Sequence, residues 1–248
     1  MQPQLLFYRK AVPLSSTAHR DITIAENRDF SFASSVNSVP LMAAEFRVAA
    51  ADSVIVFAGS GDAIVPAVIL GVQDKQNNYV NADGSWNGRY IPAFLRRYPF
   101  VFSNAPDGKN FTLCIDEEAE SINREGDGTR LFTDAGERTE YLEERLKFVQ
   151  DYQAQDARTK LFCQSLAKHD LLEPMQANFT LANGEPGRLS GFSVISREKL
   201  RALPADIAQE LLANDALELA FIHLQSTNNL RTLLEKAAAT ASAADGNA

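Results

Sequence analysis

At 248 residues, 45% hydrophobic and 23% charged, the chain has the apolar content to bury a full core, which excludes intrinsic disorder. The formal net charge of −8 is uneven: residues 1–110 carry 10 Lys and Arg against 9 Asp and Glu, and residues 111–248 carry 14 against 23. An acidic second half argues against general binding to nucleic acid or anionic membranes, since both require a basic surface.

The apolar patch Leu5, Leu6, Phe7 is followed at once by Tyr8, Arg9 and Lys10, which is too short and in the wrong charge order for a secretory signal. Cytoplasmic residence is therefore the expectation. Residues 5–14 read as a strand or extended arm, and residues 21–24 and 30–32 as short extended pieces. Ser38 can cap a helix with Pro40 in its first turn, followed by Leu41, Ala44, Glu45, Val48 and Ala51 at helical spacing, which predicts a helix over 39–51. Residues 53–57 and 63–72 are β-branched apolar runs flanking Gly59, Ser60, Gly61 and Asp62, a hairpin pattern. A phosphate loop there lacks the Lys-Ser or Lys-Thr that a Walker motif requires. Residues 63–72 are also the longest apolar run, about ten residues with Pro66 inside, where a membrane-spanning helix needs about twenty. No span is expected.

Residues 86–100 are the most constrained stretch. They hold the only tryptophan, Trp86, with Tyr90, Tyr98, Arg89, Arg96, Arg97, Pro92 and Pro99, just after the turn dipeptide Asp83-Gly84 and around Asn87-Gly88. Pro92 can open a helical turn through Arg96, and Pro99 ends it. Residues 100–102 and 111–115 then flank Asp107-Gly108 as a second hairpin. Residues 117–136 form an acidic loop anchored by Leu131-Phe132, and its carboxylates do not match the register of a calcium-binding loop. Thr139 caps a helix with Glu140, Glu143 and Glu144 near its start and a stripe of Leu142, Leu146, Val149 and Tyr152. It continues to Lys168 as one helix with a soft middle near 153–156, or as two. Residues 175–181 and 189–195 make a third hairpin about Asn183-Gly184 and Pro186-Gly187. Short helices follow after Ser196, from Pro204 to Leu212, and from Ala216 to Gln225 with Leu217, Phe221 and Leu224 on one face. A last helical stretch covers 228–239, and residues 238–248 are expected to be a flexible tail.

The order Trp86-x-Gly88-x-Tyr90-Ile91-Pro92, Arg96-Arg97-Tyr98-Pro99-Phe100, Leu113-Cys114-Ile115-Asp116 and Leu131-Phe132 near Gly136 resembles the SapC family of bacterial proteins. Gly191-Phe192, Leu200 and Ile222-His223-Leu224 with Ser226 continue the likeness, which covers about residues 6–236 as a single domain, sheet-rich over 1–116 and helix-rich over 137–237. The resemblance implies a link to surface-layer or peptide export by name. It also implies neighbourhood with halogenase-like proteins and outer-membrane receptors as partners, and it supplies no catalytic residues.

The chemical groups give few constellations. His19, His169 and His223 fall in different predicted elements, and no clustered pair suggests a metal. Cys114 and Cys163 read as buried thiols rather than a disulfide framework. Cys114, Asp116 and His223 are the catalytic candidates for a peptide- or small-molecule-modifying enzyme with a cleft beneath residues 86–100. Trp86, Tyr90, Arg96, Arg97 and Tyr98 are the binding candidates, because guanidinium forks beside aromatic faces suit a carboxylate, a phosphate or a peptide. One of the two arginines is expected to pair with Asp116 and hold the loop. The reading is an α+β fold with an antiparallel sheet over about 53–115 packed against a helical, acidic second half. Its leading function is an accessory protein that binds a peptide, protein or small anion, and no motif calls for a cofactor.

Overall fold

The computed structural model describes residues 6–25, 29–104, 111–124, 126, 128–181 and 183–245. Two compact units share the chain: Met1–Asp29 with Leu95–Ala154, and Phe30–Phe94 with Gln155–Ala248. Both sheets and helices are present, so the fold is α+β. Among the described residues the strands form three antiparallel sheets, not one over 53–115: the first and third predicted hairpins share one sheet, and the second joins Ala11–Pro13 in another.

The first unit holds two three-stranded sheets. In one, Phe111–Asp116 lies between Ala11–Pro13 and Phe100–Asn104, with Phe100 opposite Ile115 and Phe102 opposite Leu113 as the second hairpin requires. Its Asp107-Gly108 turn lies outside the described residues. In the other, Thr23–Ile24 lies between Ile122–Asn123 and Thr129–Arg130. Ile22, Phe100, Ile115, Leu131, Leu142 and Val149 form the unit's core, so the predicted anchor at Leu131-Phe132 is buried. Among the described residues of the arm predicted over 5–14, Ala11–Pro13 pairs as a strand.

One unbroken helix, Glu140–Lys168, settles the alternative of one or two. Thr139 Oγ1 accepts the Leu142 N–H at 3.4 Å and donates to the Arg130 carbonyl at 2.7 Å, so it closes the helix and ties it to the preceding strand. The middle at 153–156 holds because Gln and Ala propagate a helix and Asp156 pairs with Lys160 one turn later.

The second unit is built on a five-stranded sheet in the order Leu172–Thr180, Pro186–Ile195, Val54–Ala58, Val65–Ile69, Ser38–Pro40. The hairpin of Val54–Ala58 with Val65–Ile69 follows the sequence, with Gly61–Ala63 as a 3-10 turn between them. The helix predicted over 39–51 is corrected: Ser38–Pro40 is an edge strand opposite Ala67 to Ile69, and helical structure starts at Ala43–Glu45 and continues through Phe46–Ala49. A proline lacks the N–H that a central strand must donate, but an edge position tolerates it, so Pro40 fitted either reading. Residues 31–33 are likewise a 3-10 turn rather than extended.

Helix Ala216–Ser226 packs on Val54–Ala58 and Pro186–Ile195. Its buried face is Ala216, Ala220, His223 and Leu224, while Phe221 is 51% exposed. The predicted stripe through Leu217 and Phe221 is therefore rotated, since the small alanines are what let the helix approach the sheet. Phe46, Phe57 and Phe162 meet with ring centroids 5.8 to 6.5 Å apart and fill the centre. The third hairpin begins at Leu172, earlier than predicted, and Pro186-Gly187 sits in its second strand instead of the turn. The last helix, Leu230–Asp245, runs past the predicted end at 239. Among the described residues no helix is long and apolar enough to cross a membrane.

Candidate functional site

The constrained stretch is divided between the units, with Trp86 and Tyr90 in the second and Arg96, Arg97 and Tyr98 in the first. In the second unit it is held by two buried carboxylates. Glu45 accepts the Met42 N–H at 2.9 Å with one oxygen, and the Tyr90 hydroxyl and Ala93 N–H at 2.9 and 2.7 Å with the other. Asp52 accepts the Arg89 N–H at 2.8 Å. Its carbonyl takes the Tyr79 hydroxyl at 2.7 Å. Burial pushes that phenol up to about 12, against the opposing hydrogen bond with Ser53.

Trp86 is half-buried, stacks on Tyr79 at 5.4 Å and donates its indole N–H to the Tyr90 carbonyl at 3.0 Å. Lys236 lies 4.8 Å from the Tyr79 ring centroid and donates to the Asn87 carbonyl. Gly88 makes this possible: a Cβ there would stand 2.7 Å from the Trp86 indole nitrogen and 2.8 Å from the Tyr79 ring. Glu45, Asp52 and Tyr79 were not singled out from the sequence. Only Glu45, three residues after the residue it caps, carried a local signal.

In the first unit, Asp116 is fully buried and accepts main-chain N–H groups from Arg9 and Lys10 at 2.9 and 2.8 Å. The Tyr98 hydroxyl reaches it at 3.4 Å. The carboxylate thus fastens the N-terminal arm to the sheet. Tyr8 donates to the Phe100 carbonyl at 2.8 Å and meets Tyr98 edge-on at 5.2 Å. Burial raises both phenols well above their ordinary range; the Asp116 charge adds to this at Tyr98, and the Arg97 guanidinium opposes it at Tyr8. Arg97 is buried between aromatic faces, 5.0 Å from the Tyr152 centroid and 5.8 Å from that of Tyr8.

Arg96 is exposed, one residue away and in a different setting. Its guanidinium lies 5.1 Å from the Phe148 centroid, and that of Arg145 lies 5.9 Å from the same ring and 5.4 Å from Tyr141. Tyr141, Arg145 and Phe148 repeat at four- and three-residue spacing, which places them on one face of helix Glu140–Lys168. That spacing is legible in the sequence, but the Leu142, Leu146, Val149 stripe beside it is the stronger apolar signal.

Of the catalytic candidates, Cys114 and Asp116 lie two apart on one strand of the first unit, both buried, and His223 belongs to the second. Burial raises the Cys114 thiol, so it is not a thiolate at neutral pH. His223 is fully buried 5.0 Å from the Phe57 ring, and burial pushes its pKa down to about 4. The Ile55 backbone opposes this shift without cancelling it. The other two histidines stand apart: His19 reaches Glu117 at 3.3 Å, and His169 lies 3.9 Å from Glu210. Among the described residues no group of three or more His, Cys, Asp or Glu side chains is placed to hold a metal ion.

No curated protein and no solved structure matches the chain. The family model of SapC matches residues 14–233, within the span that carries the resemblance, and on that coverage the chain belongs to the SapC family.

Proposed function

We propose that this SapC-family chain is an accessory binding protein that recognises an acidic segment of a protein or peptide partner. In this reading it works in the cytoplasm in support of a bacterial surface-layer or uptake system, with halogenase-like proteins and outer-membrane receptors the partners that the family association suggests. The observation that carries the proposal is the placement of Arg96 and Arg145 around the single ring of Phe148. Two guanidinium groups on an aromatic platform offer N–H donors to a carboxylate and an apolar surface to the residue beside it. The remaining binding candidates serve the loop: Trp86 and Tyr90 hold its first part, Arg97 and Tyr98 its second, and Arg96 makes the contact.

The test is fluorescence anisotropy with a labelled peptide of alternating Glu and Phe, beside its Gln counterpart. Binding is expected to saturate for the acidic peptide only, to weaken with salt, and to fall about tenfold or more in Arg96→Ala and in Arg145→Ala. Equal binding of both peptides would end the proposal. So would unchanged affinity in both variants, with urea midpoints confirming that they fold.

A further inference from the structure

The third hairpin carries a feature with no part in that reading. Its strands, Leu172–Thr180 and Pro186–Ile195, pair in register as far as Met175 opposite Phe192 and resume with Ala177 opposite Leu189. Ser190 and Gly191 therefore stand together against the single residue Gln176, a β-bulge. Gly191 has φ 85, a left-handed backbone that a residue with a Cβ adopts only under strain. A bulge turns the side chains beside it, and here it opens a cleft of about 570 Å³ within the second unit.

Arg188, Gln176, Ser190 and Ser193 supply the polar lining, Pro174, Met175 and Phe192 the apolar part. Arg188 is the one charged residue among those that line the cleft. Its guanidinium donates across the strands to the Gln176 side-chain oxygen. A guanidinium has five N–H donors, so most of its capacity is left for a ligand. No carboxylate pairs with Arg188 among the described residues.

A single positive charge with two hydroxyls matches a single negative charge, and the planar fork matches a carboxylate. The cleft is open to solvent, with only Phe192 and Ser193 of its lining residues partly buried, which suits a ligand held by one end. We infer that the cleft at the Gly191 bulge binds the carboxylate of a small ligand with an apolar body, through the Arg188 guanidinium and the Ser190 and Ser193 hydroxyls. A peptide C-terminus and a free organic acid both present this chemistry. The inference stands on the second unit alone and does not depend on Arg96 or Arg145.

The experiment is isothermal titration of the full chain with four probes: phenylacetate, N-acetyl-Gly-Phe with a free carboxylate, the same dipeptide as its amide, and inorganic phosphate. Saturable binding of a carboxylate, with none of the amide, supports the site. Preference for the dipeptide acid assigns it to peptide C-termini, and equal or better binding of phenylacetate to free acids. Arg188→Gln should weaken that binding about tenfold or more, Arg188→Lys less, and Ser190→Phe should abolish it by filling the cleft. The inference is overturned if neither acid binds, if the amide binds as well as the acid, or if phosphate binds more tightly than both. It is equally overturned if folded Arg188→Gln and Ser190→Phe keep full affinity.

Discussion

The Tyr90 hydroxyl donates a 2.9 Å hydrogen bond to Oε1 of Glu45, which lies 45 residues earlier in the chain, and the same oxygen accepts the Ala93 N–H at 2.7 Å. A buried carboxylate is costly unless its lone pairs are filled, and here the loop fills them. The relation runs both ways: the loop gains its shape from Glu45, and the loop supplies the donors that Glu45 meets inside the fold.

Glu45→Ala is therefore expected to cost about 3 kcal/mol, because the Met42 and Ala93 N–H groups and the Tyr90 hydroxyl all lose their acceptor. Tyr90→Phe should cost about 1 kcal/mol, and the double variant should cost less than the sum of the two singles. Urea unfolding of the four proteins measures this. Strict additivity would mean that the two side chains do not act together.

Asp116 plays the matching part in the first unit. Asp116→Asn leaves one acceptor oxygen where the Arg9 and Lys10 N–H groups each have their own, at 2.9 Å to Oδ2 and 2.8 Å to Oδ1. Stability should fall by about 1 to 3 kcal/mol, and the released arm should lose protection first. Hydrogen exchange read by NMR tests the order: faster exchange at Arg9 and Lys10, with Phe100–Asn104 unchanged, is the expected pattern. Uniform loss of protection across the unit would refute the fastening role.

His223 gives the protein a pH dependence of definite sign. Its pKa is lowered from 6.5 to about 4 by burial, so between those values the unfolded chain binds a proton that the folded chain refuses. The contribution is complete above about pH 6.5 and is lost progressively as pH falls toward 4, at most roughly 3 kcal/mol in all. His223→Phe should flatten this part of the curve of urea midpoint against pH. Parallel curves for the variant and the natural protein between pH 5 and 7 would assign the slope to other groups.

These groups also show what sequence reading can reach. The hairpins were legible because alternation and turn dipeptides are local, and so was the Thr139 cap, whose side chain serves a residue three positions on. Sheet membership was not, since nothing near Val54 says that Phe57 pairs with Ser193 and that the hairpin after Phe100 joins Ala11–Pro13 instead. The arginines divided for the same reason. Arg96 and Arg97 are neighbours in sequence, but a helical turn sends one to solvent over Phe148 and the other between Tyr8 and Tyr152. The roles of Glu45 and Asp52 in the loop were out of reach because the loop groups they hold lie 37 to 48 residues away.

Gly88 offers the most direct view of the loop, because the only tryptophan lies against it. Its backbone needs no left-handed angle; the constraint is space, since a Cβ on this residue would stand 2.7 Å from the Trp86 indole nitrogen and 2.8 Å from the Tyr79 ring. Gly88→Ala must displace one ring, and Tyr79 is fully buried with its hydroxyl bonded to Asp52, so Trp86 is the one to move. The expected result is a red-shifted tryptophan emission and a stability loss of about 1 to 3 kcal/mol. Lys236 should keep its packing on Tyr79 and lose its bond to the Asn87 carbonyl as the loop shifts. An unchanged emission maximum at reduced stability would mean that Tyr79 moved instead, and the loop would then be anchored by Trp86.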